Sequence, residues 1–238
     1  MRRALGDHWR AQGEMEHASV VAFHDLARRL TAVGAPTALV ERAIRAAGQE
    51  ADHAQRCFDL AGRYLGQNLL PGRLRRPIRL PRSRETELAR LAVEALRDGV
   101  LNEGYAAWLA ARQAERADDP RVRDTLLIIA RDEAEHAEMS AAVLAWCLDQ
   151  GEANAVTAVH AAAACMPSMV ISCVIPIGVD AQVLADHGLF DPDGAPDANG
   201  DGYATVLAAT GQLLRNRRAA SGASTAVSAS DHAMEPQT

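Results

Sequence analysis

Lysine is absent from this chain, so all 25 of its basic side chains are arginines. Aromatic residues are scarce too, with three Trp, three Tyr and three Phe among 238 residues. Runs of β-branched residues are few. Alanine and other good helix formers take their place, which argues for an all-α protein. Only four cysteines occur, Cys57, Cys147, Cys165 and Cys173, and their spacing is not that of a zinc site. Cys57 and Cys147 fall on apolar helix stripes and read as buried free thiols. No apolar run reaches transmembrane length, because the longest, around residues 169–179, is broken by Cys173 and Pro176. No membrane partner is therefore expected. Residues 1–7 lack the apolar core of a signal peptide, so the expected location is cytoplasmic. A net charge of −6 gives no overall drive towards nucleic acid or membrane.

What is present is a set of four apolar stripes with the stepping of helices that face a bundle core. Val122, Leu126, Ile129, Glu133, His136, Ser140, Val143 and Cys147 form the clearest, with two ionisable groups in its middle. Leu39, Ala43, Ala46, Glu50, His53, Cys57, Leu60 and Tyr64 repeat the arrangement. Trp9, Gly13, Glu16, Val20, Phe23, Ala27 and Leu30 carry a lone glutamate, as do Leu96, Val100, Glu103, Ala107, Ala110 and Ala114. A carboxylate on a core-facing stripe is unfavourable by several kcal/mol unless it is paired or bound to a metal. Four carboxylates and two neutral imidazoles carry a formal charge of −4, which two divalent ions would neutralise. Carboxylate with imidazole suits iron or manganese.

In chain order the pattern is Glu, Glu-x-x-His, Glu, Glu-x-x-His. It resembles the ferritin-like superfamily of di-iron carboxylate proteins, nearest in layout to rubrerythrin-like domains, over residues 1–150. The resemblance implies a ferritin-like four-helix bundle with a long crossover between its second and third helices. It also implies that Glu16, Glu50, His53, Glu103, Glu133 and His136 are the metal ligands and the catalytic centre. Glu50 and Glu133 would bridge two iron ions, with manganese or a mixed iron–manganese pair as alternatives. Two departures stand out. Rubrerythrins carry a further glutamate one turn from the third-helix ligand, where this chain has Val100, Ala106 and Ala107. They also carry a tail with paired Cys-x-x-Cys motifs, which this chain lacks. Both argue against a complete rubrerythrin-type peroxidase.

Along the chain, a first helix is expected from about Asp7 to Val33, ended by Gly34-Ala35-Pro36, and a second to about Leu65, closed by Gly66. Residues 71–84 hold three prolines and six arginines without an acid, which suits an extended crossover. Its arginines read either as a polyanion patch or, more simply, as a solvated strap paired with acidic helix faces. Helix three should run from about Arg84 to Ala117. Asp118-Asp119-Pro120 should cap a fourth helix that ends near Gln150. Glu94, Asp98 and Asn102 lie off the stripe of helix three. Asp52, Asp132, Glu135 and Glu138 neighbour the ligands without sharing their face, and one of the aspartates could hold a ligand histidine's second nitrogen.

A helical extension is expected over 151–218, in segments 153–164, 168–188 and 203–218, followed by a disordered tail at 219–238. His160 and His187 read as structural. Residues 197–202 match the first half of a calcium loop, but Ala208 stands where its closing Glu belongs, so an Asp/Gly turn is the simpler reading.

The resemblance implies a non-haem di-iron oxidoreductase using dioxygen or peroxide on a small-molecule substrate, with an electron donor. His53 and His136 would bind away from the oxygen face. Val20, Phe23, Val100 and Ala107 would line the pocket, with Tyr64 and Tyr105 as neighbours. The alternatives are an iron-handling protein without an organic substrate and an RNA hydroxylase of the same superfamily, with a homodimer possible in each case.

Overall fold

The computed structural model describes residues 1–74, 83–150, 153–165, 179–189, 204–208 and 210–212. Among these there is no strand, and the protein is all-α. Helix α1 covers Arg2–Val33, starting earlier than the expected onset at Asp7. Leu5 explains the extra turn, since it is buried and packs with Leu184 and Leu189. The helix ends at Gly34, whose φ of 77° is the left-handed region that glycine enters without strain. The Gly34 N–H donates to Thr31 O (3.1 Å) and the Ala35 N–H to Leu30 O (2.9 Å), closing a Schellman motif. Helix α2, Thr37–Leu65, follows after a three-residue link, so the two lie antiparallel. It ends on Gly66, again left-handed at φ 70°.

No helix forms in residues 66–74. The rest of the expected crossover, with Arg75, Arg76 and Arg79, lies outside the described residues. The third rod starts at α3, Arg84–Glu94, where the Ser83 hydroxyl accepts from the Thr86 N–H at 3.1 Å. It does not stay α-helical as the sequence suggested. A π-helical stretch, Ala95–Glu103, is inserted before the rod resumes as α4, Gly104–Arg116. Helix α5, Pro120–Asp149, starts at the expected cap: Asp119 Oδ1 accepts from the N–H groups of Arg121 (2.9 Å) and Val122 (3.5 Å).

The four rods pack around a core with two apolar clusters. One holds Phe23, Leu30, Leu39, Leu91, Leu96 and Leu144, among others. The second gathers Trp9, Cys57, Leu60, Ala110, Val122 and Leu126. Each large side chain fully buried in such a cluster contributes about 1.5–3 kcal/mol. In every rod the candidate ligands fall, in sequence, between the residues of these two clusters. A polar layer is thereby clamped between two apolar ones.

Arg29 ties α1 to the third rod. Its buried guanidinium donates to Glu87 on α3 and to Glu94, and it also lies near Asp25 on its own helix.

Helix α6, Ala153–Ala164, buries Ala155 and Val159 in the first cluster. Helix α7, Ala181–Asp186, brings Leu184 and nearby Leu189 onto Leu5. The Asp118 N–H donates to Asp186 O (2.8 Å), and Tyr64 Oη lies 2.5 Å from His187 Nδ1. His187 is thus part of the packing, as expected, and His160 is exposed on α6. Further helix occupies 204–208 and 210–212, within the expected 203–218. The expected segment before residue 179, the 197–202 loop and the 219–238 tail lie outside the described residues. Cys57 and Cys147 are buried free thiols, and Cys165 is exposed. No described helix is long and apolar enough to cross a membrane.

Candidate metal centre

The stripe of α5 is buried over all eight positions, and that of α2 over all but Tyr64. Each carries its Glu and His inward because residues three apart share a helix face. All six candidate ligands meet in the polar layer as two overlapping groups. Glu16, Glu50, His53 and Glu133 form one, and Glu50, Glu103, Glu133 and His136 form the other. Within each group the ligand atoms lie within 4.8 Å of one another. Glu50 and Glu133 belong to both, as a pair of bridging carboxylates would.

The distances define two positions. His53 Nδ1 lies 3.3 Å from Glu133 Oε1, 3.6 Å from Glu16 Oε2 and 3.8 Å from Glu50 Oε2. His136 Nδ1 lies 3.2 Å from Glu50 Oε1 and 3.4 Å from Glu133 Oε2. The far nitrogens have other partners. His53 Nε2 meets Asp132 Oδ2 at 3.1 Å, and His136 Nε2 meets Gln49 Oε1 at 3.0 Å. A carboxylate and an amide oxygen only accept, so each Nε2 carries a proton and each Nδ1 faces the centre, where it can bind a cation once its own proton is displaced. Asp132 is held in turn by Arg131 at 2.7 Å, and Gln49 Nε2 donates to Glu135 at 3.2 Å.

Glu50 Oε2, His53 Nδ1, Glu133 Oε2 and His136 Nδ1 are buried without a hydrogen-bond partner. Four such atoms converging on one point are expensive in a protein interior, and a cation is the group that would satisfy them together. The electrostatics agree. Burial, partly opposed by neighbouring His53 and reinforced by Glu50 and Glu133, raises Glu16 to about 8. Burial and then Glu133 push Glu103 well above the usual carboxyl range. Burial lowers His53, but Glu133, Glu16 and Glu50 outweigh it and carry the imidazole up to about 12. His136 rises to about 9 against burial, through Glu133 and Glu50. Burial also opposes ionisation of Glu133, yet neighbouring Glu103, His136 and His53 hold it well below the ordinary value. The cluster retains protons because it lacks positive charge of its own. This donor set fits two divalent ions.

A cavity of about 750 Å³ lies between α1 and the third rod and ends at Glu103, the only one of the six residues in its wall. Phe23 lines it as expected, and its ring sits 4.8 Å from that of His136. Val20, Val100 and Ala107 do not line it. Ala22 of α1 and Ser140 and Val143 of α5 do, together with Ala95 and Gly99, which lie in the π-helical stretch, where the turn is wider than the expected α-helical stripe assumes. Glu94 and Asp98, read from the sequence as lying off the stripe, stand in the same wall. Burial and neighbouring Glu94 raise the Asp98 carboxyl. Tyr105 is buried and stacks on Trp108, and Tyr64 is engaged with His187.

Of the aspartates beside the ligands, Asp132 holds a histidine's second nitrogen, whereas Asp52 pairs with Arg56. Gln49 was missed. Its only signal is its place immediately before Glu50, one turn before His53. Set against models of known protein families, curated proteins and solved structures, the chain matches none of them.

Proposed function

We propose that the protein is a non-haem di-iron oxidoreductase of the ferritin-like superfamily, using dioxygen or peroxide to oxidise a small organic molecule. The sharing of Glu50 and Glu133 by two ligand groups is the observation that carries this reading. Glu16 and Glu103 are the terminal carboxylates, and His53 and His136 the nitrogen donors. A bound pair of ferrous ions would supply the electrons that reduce dioxygen or peroxide. The chain's own part is to orient, neutralise and exclude. Asp132 and Gln49 fix the imidazole tautomers. Phe23 packs its ring 4.8 Å from that of His136 at the cavity end of the centre, and the cavity volume is within the range of small-molecule sites. That cavity favours an organic substrate over metal handling alone.

The test is to load the metal-free protein with ferrous iron without air, then admit air while following dissolved oxygen and the visible spectrum. Oxygen uptake with a new absorption band, both lost in Glu50→Ala, is the expected result. Iron binding with neither change would overturn the oxidoreductase reading.

A further inference from the structure

The two metal positions share Glu50 and Glu133, and each adds one glutamate and one histidine. Their direct donors are therefore the same in kind and number, and any difference must come from what stands behind and beside them. Behind His53 is a carboxylate, Asp132, 2% exposed and accepting at 3.1 Å. Behind His136 is a neutral amide, Gln49, at 3.0 Å. An imidazole N–H that donates to a carboxylate makes the opposite nitrogen a stronger donor than one that donates to an amide. Arg131 tempers this, but it binds the other oxygen of Asp132 from an exposed position, where its charge is screened.

Access differs as well. Both histidines are buried, at 0% and 1% exposed, but of the six ligands only Glu103 lines the cavity, and Phe23, which also lines it, sits against His136 at 4.8 Å. Glu103 is also the last residue of the π-helical stretch, while Glu16 stands inside a continuous α-helix. π-helical turns are uncommon and concentrate at functional sites.

We propose that the two positions are inequivalent. The Glu16–His53 position is the anchored one and fills first. The Glu103–His136 position fills second and is where a small ligand from the cavity reaches the metal. This rests on the metal-centre reading above, but not on any oxygen chemistry.

Cobalt(II) is the probe, titrated into the metal-free full chain and followed by its visible absorption. The wild type should show two events, the first at least about ten-fold tighter than the second. Asp132→Asn keeps the shape and removes the charge. It should weaken the first event by roughly 10–100-fold, the usual effect of losing a histidine's outer partner, and leave the second nearly unchanged. Gln49→Leu should weaken only the second. Azide should alter the spectrum only once the second equivalent is bound. Two equal events in the wild type, a parallel loss of both in Asp132→Asn, or an azide response at the first equivalent would each overturn the inference. Failure to bind any cobalt would overturn the metal-centre reading and the inference with it. Iron loading without oxygen uptake would overturn the proposed function alone.

Discussion

Glu133 touches both histidines of the centre and is shared by both ligand groups. Glu133→Ala should therefore remove both ions, whereas Glu16→Ala should spare one; elemental analysis of the purified variants reads this directly. The protons held by the cluster give a second outcome. In the metal-free protein His53 and His136 titrate above their ordinary 6.5, at about 12 and about 9, so the stability they contribute is full below 6.5 and is lost as pH rises towards those values. Glu16, raised from 4.5 to about 8, loses its contribution as pH climbs through that range. Glu133 is depressed, so its contribution is already complete above its ordinary value and stays flat here. The signs agree: the melting temperature of the metal-free protein should fall from pH 6.5 to pH 9. Metal affinity should rise over the same window, because binding displaces those protons. A melting temperature that climbs across it would contradict these assignments. The six central residues could be read from the sequence because a charged group on an apolar stripe violates the pattern around it. Asp132 and Gln49 violate nothing, and only the meeting of α2 and α5 makes them partners of the histidines.

The third rod shows the limit of counting along a helix. Its expected stripe assumed 3.6 residues per turn throughout, and the π-helical turns at Ala95–Glu103 break that assumption without any mark in the sequence. Gly99 sits in this stretch where an added Cβ would overlap Ser140 of α5. Gly99→Ala should destabilise the protein by about 1–3 kcal/mol, as overpacking does, and lower its metal content by displacing Glu103. Pairing it with Ser140→Gly should restore the metal, and a pair as depleted as the single variant would contradict the steric account. Arg29 offers a contrast, since its ion pairs with Glu87 and Glu94 brace α1 against the third rod away from the ligands. Arg29→Ala leaves buried carboxylates uncompensated and should cost about 3–5 kcal/mol in chemical denaturation, with two metals still bound. An all-α chain with these helix ends was legible from alanine content, Gly34, Gly66 and the Asp119-Pro120 cap. These are local signals, and local chemistry decides them.

Taken together, the rods place a polar layer between two apolar clusters, and the C-terminal helices close over the bundle through Leu5, Ala155 and Val159. The extension's docking was not legible, because its small apolar helices carry no register of their own until α3 and α1 provide one. The apolar layers hold the acidic residues together despite their mutual repulsion, and the bound ions would neutralise that charge. The most direct test is therefore the number of metal ions per chain after iron-supplemented expression, taken together with the melting temperature before and after chelation. About two ions per chain, lost with a clear fall in melting temperature, is the result this account predicts. No bound metal, with chelation leaving the melting temperature unchanged, would contradict it.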